Sequence, residues 1–488
     1  MCRFLFFLPF GCRLLRTRRE NMLYKICKPG KLGQWIVAIT ACFCSMTSGQ
    51  GFSWPSPALP MIISGTAGFN LTDVEQSWMV TITFIGNVVS PIPAGFVMDL
   101  IGRKNTLLVS LLSMIASWII IYFSTTAVTL YIARFLAGLW AGVVYTVVPV
   151  FIGEVVDPDI RGAMGAMFGV NMYIGALYES LVGMGSYHTL AFLSGVPPTL
   201  LFVAFLFLPE SPYYYLLKGK KEKARRSVIW LTGMCSDEKL DKMDAAVKEQ
   251  LAKRGSFTDI FKTKASRRAF VIVEVLGVVQ RGAGVTLLFA YVSITIPDSI
   301  VTATQSFIVL CVVWIVMSFS SSFIMDKFGR RIILLISCIG AGLAMLAVSI
   351  WFYLRDQAAY DVSNTNVLPL VFLIINGMFY SIGIVCIPQL VQGELFSVNI
   401  KAKASAIACI TTSLASAITV KLYLPLTEYV GVYSNFLICF LSCLVGAIFS
   451  MTYMVETKGK TLEQIQDVLA ESRKKKPRSD IPGIGNNV

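Results

Sequence analysis

Long apolar segments follow one another along almost the whole chain, and short polar loops separate them. A helix needs about 20 apolar residues to cross a bilayer, and backbone groups inside a bilayer must be hydrogen-bonded within the segment. The pattern therefore predicts twelve membrane-spanning helices in two groups of six. Their approximate bounds are 33–58, 76–98, 105–123, 128–152, 162–185, 190–208, 268–291, 302–325, 332–354, 367–393, 403–424 and 431–454.

A polar segment that interrupts the apolar pattern occurs twice. Gly95–Lys104 lies between the second and third predicted spans, and Ser322–Arg331 lies between the eighth and ninth. Two copies in corresponding places predict a twofold internal repeat, which is typical of carriers with a binding site near the middle of the membrane. The expected fold is an all-α membrane protein with two pseudo-symmetric six-helix bundles.

The loops and termini complete the expected domain plan. Residues 220–253 are rich in Lys, Glu and Asp and carry apolar residues at helical spacing, which predicts short amphipathic helices at the membrane surface. The plan consists of an N-terminal extension (1–31), a first bundle (32–208), a hinge loop (209–267), a second bundle (268–454) and a tail (455–488).

Composition and charge support a membrane protein and give it an orientation. Hydrophobic residues make up 55% of the chain and charged residues only 14%, where a soluble protein carries about 25%. All but four of the 42 Lys and Arg lie in segments that one topology puts on a single side, whereas loop 59–77 has none. By the positive-inside rule both termini are cytoplasmic. The positive charge that gives the chain its net charge of +14 therefore lies on the cytoplasmic side of the bilayer, and we expect no nucleic-acid partner.

Several kinds of chemistry are not expected from this sequence. The chain has one His, with no Ser-His-Asp arrangement, no metal-ligand spacing and no phosphate-binding loop of the P-loop pattern. We expect no enzyme, no cofactor, no metal site and no ATP-driven pump. Asn70-Leu-Thr72 is an N-glycosylation acceptor in the first predicted external loop.

Acidic and basic residues recur at matching offsets where the predicted spans meet the cytoplasm. Glu154 precedes Arg161 by seven residues in the first half, and Glu394 precedes Lys401 by seven in the second. The full set is Asp99, Arg103, Glu154, Arg161, Glu210, Asp326, Arg330, Arg331, Glu394, Lys401 and Glu456.

Two interpretations of these charges stay open. They are ordinary charges at the level of the lipid headgroups, or they form a latch of ion pairs that joins the two halves when the site opens outward and separates when it opens inward. Exposed pairs each contribute little, so a latch would need several. The second copy has Ser322 for the helix-packing Gly95 and Lys401 for Arg161. Since Lys cannot make the forked contact of Arg, we expect a weaker latch there.

Six motifs carry a resemblance to a known family. The chain resembles the sugar porters of the major facilitator superfamily, and is similar to insect facilitated trehalose transporters and animal facilitative hexose carriers. The resemblance implies a carrier that works by alternating access. The motifs lie at Trp54–Leu59, Gly95–Lys104, Arg134–Gly138, Gly153–Gly162, Pro209–Pro212 and Glu456–Glu463.

Most of the substrate-binding residues that the resemblance implies are replaced by other residues in this chain. In span seven the family has a Gln-Gln pair and then Gly-Ile-Asn, whereas this chain has Gln280, Arg281 and Thr286. Gly169 stands where the hexose carriers have Gln, and Ser413 follows Thr412 where they have Asn-Trp. The candidate substrate-binding residues are Gln280, Arg281, Thr286, Trp314, Gln389 and Thr412.

Three charged residues are predicted inside the membrane, where such groups are costly and are functional candidates by default. Arg281 lies near mid-depth, Glu274 lies seven residues earlier on the same helical face, and Glu179 lies in the outer half of span five. One interpretation is that Arg281 forms a structural ion pair with Glu274 or Glu179. The other is that Arg281 enters the cavity and selects a polar or anionic substrate.

The favoured function is facilitated diffusion of a sugar, trehalose or hexose-like, through the plasma membrane. Proton-coupled relatives use an acid in the first span, where this chain has Gln50 and no acid between Lys31 and Asp73. Glu179 and Glu274 keep proton coupling open. A carrier of another polar solute and a non-transporting nutrient sensor are the alternatives, and the short tail weakens the sensor. The sequence does not set the oligomeric state.

Overall fold

The computed structural model describes residues 31–252, 256–298, 301–327, 329–358, 362–396, 398–458 and 462–470. Almost all of the predicted N-terminal extension, and the tail beyond residue 470, lie outside these residues. The described residues form helices joined by short loops, and they include no strand.

Each predicted span coincides with one helix or with two consecutive helices, so the twelve-span prediction is confirmed. The bounds agree with the sequence expectation within a few residues. The spans are, in order: α1 (Leu32–Ser53) with α2 (Pro55–Ile63); α3 (Asp73–Val89) with α4 (Pro91–Ile101); α5 (Arg103–Phe123); α6 (Ala127–Val155); α7 (Pro158–Val182); α8 (Tyr187–Phe207); α13 (Lys264–Gly282) with α14 (Val285–Thr295); α15 (Ala303–Lys327); α16 (Arg330–Asp356); α17 (Leu368–Phe379) with α18 (Cys386–Leu395); α19 (Val398–Tyr429); and α20 (Val432–Thr452).

Helix α7 is the one described span that is not long and apolar enough, by length and composition, to cross a membrane. Ten spans are long and apolar enough to cross a membrane by themselves, and the pair α3 and α4 makes an eleventh. The remaining span is α7, which carries Arg161, Asn171 and Glu179. It packs between α1 and α15, so neighbouring helices cover Asn171 and Glu179, which are both buried.

Besides span 1, which divides into α1 and α2 at Trp54, three spans are interrupted. Span 2 bends by 46° between α3 and α4, where Pro91 removes a backbone donor. Span 7 breaks at Gly284, whose φ of +106° is a left-handed conformation that favours glycine. Span 10 contains a π-helical segment, Tyr380–Ile384, between α17 and α18. Such interruptions free backbone groups and redirect side chains where the halves meet.

Glycines allow the helices of the first half to cross closely. A Cβ atom on Gly175 of α7 would collide with the Met46 carbonyl of α1, and one on Gly49 with the Met172 carbonyl. Small residues commonly permit close backbone approach in membrane helices, where lipid gives no hydrophobic drive for association. By contrast, a Cβ on Gly95 would meet nothing within 4 Å, so the expectation that Gly95 packs a helix is wrong.

Residues 209–267 contain four short helices: α9 (Pro212–Leu217), α10 (Lys221–Thr232), α11 (Asp237–Ala252) and α12 (Asp259–Lys262). The apolar positions of α9 to α11 pack on one another, with Leu216, Ala224, Leu240 and Val247 in one buried cluster. A further helix, α21 (Leu462–Ala470), follows span 12 and contacts α13.

We call the end of the molecule that carries Arg103, Glu210, Arg330 and Glu456 the basic face, and the other end the opposite face. At the opposite face the two halves touch. The hydroxyls of Ser56 in α2 and Ser293 in α14 are 2.6 Å apart. The ammonium of Lys421 in α19 lies 4.1 Å from the ring centre of Trp78 in α3. The halves are therefore closed against each other at this face.

Candidate functional site

A small cavity lies between the two halves, close to the interruptions of spans 2 and 7. It offers only about 10 Å³ to the centre of a water-sized molecule, which is room for about one water. A sugar does not fit in this conformation. Both halves line the cavity, through Phe52, Phe84, Asn87, Met172, Arg281, Thr286, Phe289, Ser413 and Ser416.

Arg281 brings a positive charge to this cavity. It is the last but one residue of α13, just before the break at Gly284, and its side chain is half-buried. Its Nε is buried and has no hydrogen-bond partner among the described residues. The phenol groups of Tyr145, Tyr173 and Tyr380 are close enough to interact with its charge. Arg281 therefore lines the cavity in this conformation, and its role in selecting a substrate stays a prediction.

The two acids considered as structural partners of Arg281 lie elsewhere. Glu179 is fully buried in the first half, where it accepts a 2.7 Å hydrogen bond from Ser194 and lies near Arg134. Glu274 is half-buried near Thr411, and neither of its carboxylate oxygens has a hydrogen-bond partner in the described part of the chain. Neither acid forms an ion pair with Arg281, so that interpretation of the charge does not hold in this conformation.

The side chain of Gln280 is hydrogen-bonded to the backbone of span 10. Its Nε2 donates to the carbonyls of Ile384 and Val385, at 3.1 and 2.7 Å. Pro388, four residues after Ile384, has no backbone N–H to offer the Ile384 carbonyl, and in return the Tyr380 hydroxyl donates to the Gln280 carbonyl at 3.1 Å. Gln280 therefore fastens span 7 to the interruption of span 10, and a substrate would have to share its amide.

Thr286 is the predicted residue that, with Arg281, lines the cavity. It lies in the first turn of α14, directly after the left-handed Gly284. Its hydroxyl is buried and has no hydrogen-bond partner among the described residues. A hydroxyl that both donates and accepts suits a polar ligand.

Three other predicted substrate residues do not line the cavity. Trp314 is fully buried against Tyr173 and Phe289. Its indole ring packs so closely on Gly377 that a Cβ atom there would collide with it. The hydroxyl of Thr412 donates to the Ala408 carbonyl of its own helix, and its methyl group packs at Gly277 within the second half. Gln389 is exposed in α18 and makes no contact with the cavity in this conformation.

Residues that the sequence analysis did not select complete the site. Asn87 comes from the bend of span 2, and its carbonyl oxygen Oδ1 is buried without a partner among the described residues. Ser413 and Ser416 also line the cavity from α19, and Ser416 lies one helical turn after Thr412. The proline that bends span 2 was a usable signal for Asn87. Nothing in the pattern of span 11 distinguishes Thr412 from Ser416, because both are small and polar.

At the basic face, Glu210 closes the N-terminus of helix α5. Its carboxylate accepts backbone hydrogen bonds from Arg103, Lys104 and Asn105 at 2.9, 3.1 and 3.3 Å. A carboxylate at a helix N-terminus satisfies unpaired amides and complements the helix dipole. A Cβ on Gly102, whose φ is +102°, would collide with this carboxylate. Burial raises the pKa of Glu210 above its ordinary value despite these hydrogen bonds.

Glu456 repeats this arrangement in the second half. It accepts backbone hydrogen bonds from Arg330 and Arg331 at 3.0 and 3.1 Å, and a Cβ on Gly329 would collide with it. Its burial would raise its pKa, but the backbone donors outweigh burial and hold that pKa below its ordinary value. The two glycines of the repeated motif therefore make room for a carboxylate in each half.

The guanidinium groups of the repeated motif pair with other acids, and unequally. Arg103 contacts Glu154 through Nη2 at 2.9 Å and Nε at 3.1 Å, and Asp99 at 3.3 Å. Arg330 contacts Glu394 through one nitrogen at 3.3 Å, and its Nε has no hydrogen-bond partner among the described residues. The side chain of Asp326 lies outside the described residues. Among the described side chains, the arginine of the first copy contacts two acids and that of the second copy contacts one.

These networks join helices within one half in this conformation, in which the halves meet at the opposite face. The latch, which would join the halves only when the site opens outward, stays a prediction. Arg161 donates to the Gly153 carbonyl and Lys401 to the Gly393 carbonyl, both at 2.8 Å and each in its own half. The positive charge of Arg161 is near enough to act on the ammonium of Lys401, and the carboxylate of Glu394 acts on it in the opposite sense. The bases of the two halves therefore face each other as like charges.

Asn70 lies in the loop between α2 and α3 at the opposite face, and its side chain is exposed. Thr72, the third residue of the acceptor sequence, caps α3 and forms a reciprocal pair of hydrogen bonds with Glu75. The acceptor sequence is accessible at this face.

Known proteins resemble this chain in sequence. The family described as "Sugar (and other) transporter" matches residues 34–469. Proteins named "Facilitated trehalose transporter Tret1" from Apis mellifera ligustica and Polypedilum vanderplanki are each 28% identical to this chain, over 441 and 445 residues, covering 89% of it and 87% of each relative.

Solved structures show the same fold at low sequence identity. The inward-open conformation of the xylose transporter XylE from E. coli matches with a TM-score of 0.74 at 17% identity, covering 89% of this chain and 99% of that one. Its partially occluded inward-open conformation matches with a TM-score of 0.73 at 18% identity, covering 88% and 99%. The twelve-helix arrangement is therefore shared with a solved carrier.

Proposed function

The chain belongs to the sugar (and other) transporter family, and from that membership we propose that it carries a sugar, trehalose or hexose-like, across a membrane by alternating access. The observation that supports this most is the cavity between the halves. Asn87, Thr286 and Ser416 give it polar groups, Phe52 and Phe84 give it aromatic walls, and contacts close it at the opposite face.

We infer that transport is facilitated diffusion. Proton-coupled relatives use an acid in span 1, where this chain has Gln50. Gln50 is buried beside Glu179. Arg134 donates to the backbone carbonyl of Gly51 at 2.6 Å, so this cation is held by the backbone of span 1. A rival, proton coupling, is favoured by one observation: Glu179 is fully buried and its Oε2 has no partner among the described residues.

We further propose that the basic face is cytoplasmic and that the carrier works in the plasma membrane. The concentration of Lys and Arg at that face supports the orientation. Asn70 would then be external, where N-glycosylation is possible. An Asn70→Gln variant that migrates like the parent chain in a preparation from cells that glycosylate proteins would refute the modification.

Flux measurements on the full chain in proteoliposomes test this function. Labelled trehalose and glucose are expected to equilibrate at a rate that does not change with an imposed proton gradient. Flux that the gradient accelerates, and that Glu179→Gln uncouples from it, would establish symport instead. Binding of sugar without any flux would favour a nutrient sensor.

A matched pair of variants connects the flux to the cavity. Asn87→Leu removes a polar group of the cavity and is expected to lower sugar flux by about tenfold or more. Asn105→Leu makes the same change at an exposed position of the basic face and is expected to leave the flux unchanged. Equal flux in both variants would contradict a substrate site in this cavity.

A further inference from the structure

We propose that the cargo of this carrier includes a carboxylate, so that the preferred substrate is a sugar acid or a similar polyhydroxylated monocarboxylate, and that Arg281 binds the carboxylate. This inference rests on the proposed transport function and narrows its substrate class. It is carried by one observation: the substrate cavity contains a cation for which the described part of the protein supplies no ion-pair partner.

The position of Arg281 makes its charge available to a ligand. The side chain lines the cavity and is half-buried, about 10 Å along the helix from Glu274 by the helical rise. Its Nε is buried and has no hydrogen-bond partner in the described part of the chain. A guanidinium in a low-dielectric site is costly unless an opposite charge and hydrogen-bond acceptors meet it.

The protein's own acids are engaged or turned elsewhere. Glu179 is held by Ser194 and lies near Arg134, and Glu274 lies near Thr411 without contacting the guanidinium. The C-terminus of α13 adds a partial negative charge of about half an elementary charge, which offsets only part of the cation. A neutral sugar would leave the rest uncompensated.

The groups around the guanidinium suggest the chemistry of the ligand. A carboxylate can accept two parallel hydrogen bonds from one guanidinium. The hydroxyl of Thr286 and the amide of Asn87 have buried oxygens for which the described residues supply no partner, and both groups are suited to sugar hydroxyls. A phosphate ester carries about two negative charges, so one arginine would leave a charge unpaired in the closed site. The geometry thus favours a monocarboxylate.

Binding and flux of three matched pyranoses test the inference: D-glucuronate, its neutral amide D-glucuronamide, and D-glucose. Ligand-dependent thermal stabilisation of the purified full chain measures binding without requiring transport. The parent chain is expected to bind glucuronate about 10- to 100-fold more tightly than the amide or glucose. Glucose 6-phosphate is expected to bind more weakly than glucuronate.

Substitutions at Arg281 supply the second arm. Arg281→Gln is expected to lose the preference for glucuronate and to bind glucose at least as well as the parent does. Arg281→Lys is expected to retain part of the preference, since it keeps the charge without the forked geometry. Arg267→Gln, an exposed position near the start of the same helix, is the control and is expected to behave like the parent.

The outcomes separate this inference from the transport function. A parent chain that carries glucose but neither binds nor carries glucuronate overturns the carboxylate inference and leaves the carrier intact. A preference for glucuronate that survives in Arg281→Gln overturns the role of Arg281. Tight glucuronate binding with no flux of any ligand would support the site and contradict the carrier function.

Discussion

At the level of single residues, a glycine and a carboxylate define the repeated motif. Gly102 and Gly329 leave room for Glu210 and Glu456, which close the N-termini of α5 and α16. The sequence pattern suggested acids paired with arginine side chains. In the structure these two acids accept hydrogen bonds from backbone amides, and the guanidinium groups contact Glu154 and Glu394 instead.

The unequal copies make a prediction about Arg103 and Arg330. Arg103→Ala would leave Glu154, whose side chain is 16% exposed, without its main partner, at a cost of about 3–5 kcal/mol. Arg330→Ala would break one contact to the more exposed Glu394, at about 1 kcal/mol or less. Thermal unfolding in detergent is expected to show the larger loss of Tm for Arg103→Ala.

Arg103→Ala is also expected to change the population of inward-facing carrier more than Arg330→Ala does. The reason is that the networks fix the helix ends that must move at the basic face. Hydrogen exchange of the ends of α5 and α16 measures that population. Arg355→Ala, at the opposite end of α16, serves as the control. Equal effects of Arg103→Ala and Arg330→Ala in both measurements would show that the two copies are equivalent.

At the level of helices, the function depends on interruptions and close crossings. The break at Gly284 places Arg281 and Thr286 on consecutive segments beside the cavity. At the end of the π-helical segment of span 10, Gln280 donates to the carbonyls of Ile384 and Val385 and so joins span 7 to span 10.

The crossing of α1 and α7 can be tested through two glycines of one helix. Gly175→Ala would push a Cβ against the Met46 carbonyl and is expected to lower stability by about 1–3 kcal/mol, with lower Tm and lower flux. Gly169→Ala has no heavy atom within 4 Å of the new Cβ and is expected to be neutral or slightly stabilising. A neutral Gly175→Ala would mean that α1 and α7 do not pack this closely in the membrane.

At the level of the whole molecule, the structure shows one end of an alternating cycle. The halves meet at the opposite face through Ser56 and Ser293 and through Trp78 and Lys421, while the ion-pair networks at the basic face stay within each half. The like charges of Arg161 and Lys401 face each other there. Opening the opposite face requires the first set of contacts to separate.

A disulfide across the opposite face should therefore stop transport. In a Ser56→Cys, Ser293→Cys double variant, oxidation is expected to link α2 to α14, since the native hydroxyls are 2.6 Å apart, and to abolish sugar flux. A reductant should restore the flux, and each single variant should be insensitive to oxidation. Mass spectrometry of the linked peptides confirms the bond. Full flux through the linked protein would contradict opening at this contact.

The sequence by itself determined the membrane fold, its twelve spans, the repeat and the family resemblance, and these are confirmed. The physical reason is that a bilayer requires long apolar helices, so composition and periodicity carry the information directly. The sequence also located Arg281 and Thr286, because a charge and a broken helix inside a membrane are conspicuous.

Only the tertiary structure decided which side chains meet. It turned Trp314 and Thr412 away from the cavity, brought Asn87 and Ser416 into it, and separated Arg281 from Glu179 and Glu274. These outcomes depend on the rotation of each helix about its axis and on where the interruptions fall. Contacts between helices distant in the chain fix both, and the local pattern of polar residues does not encode them.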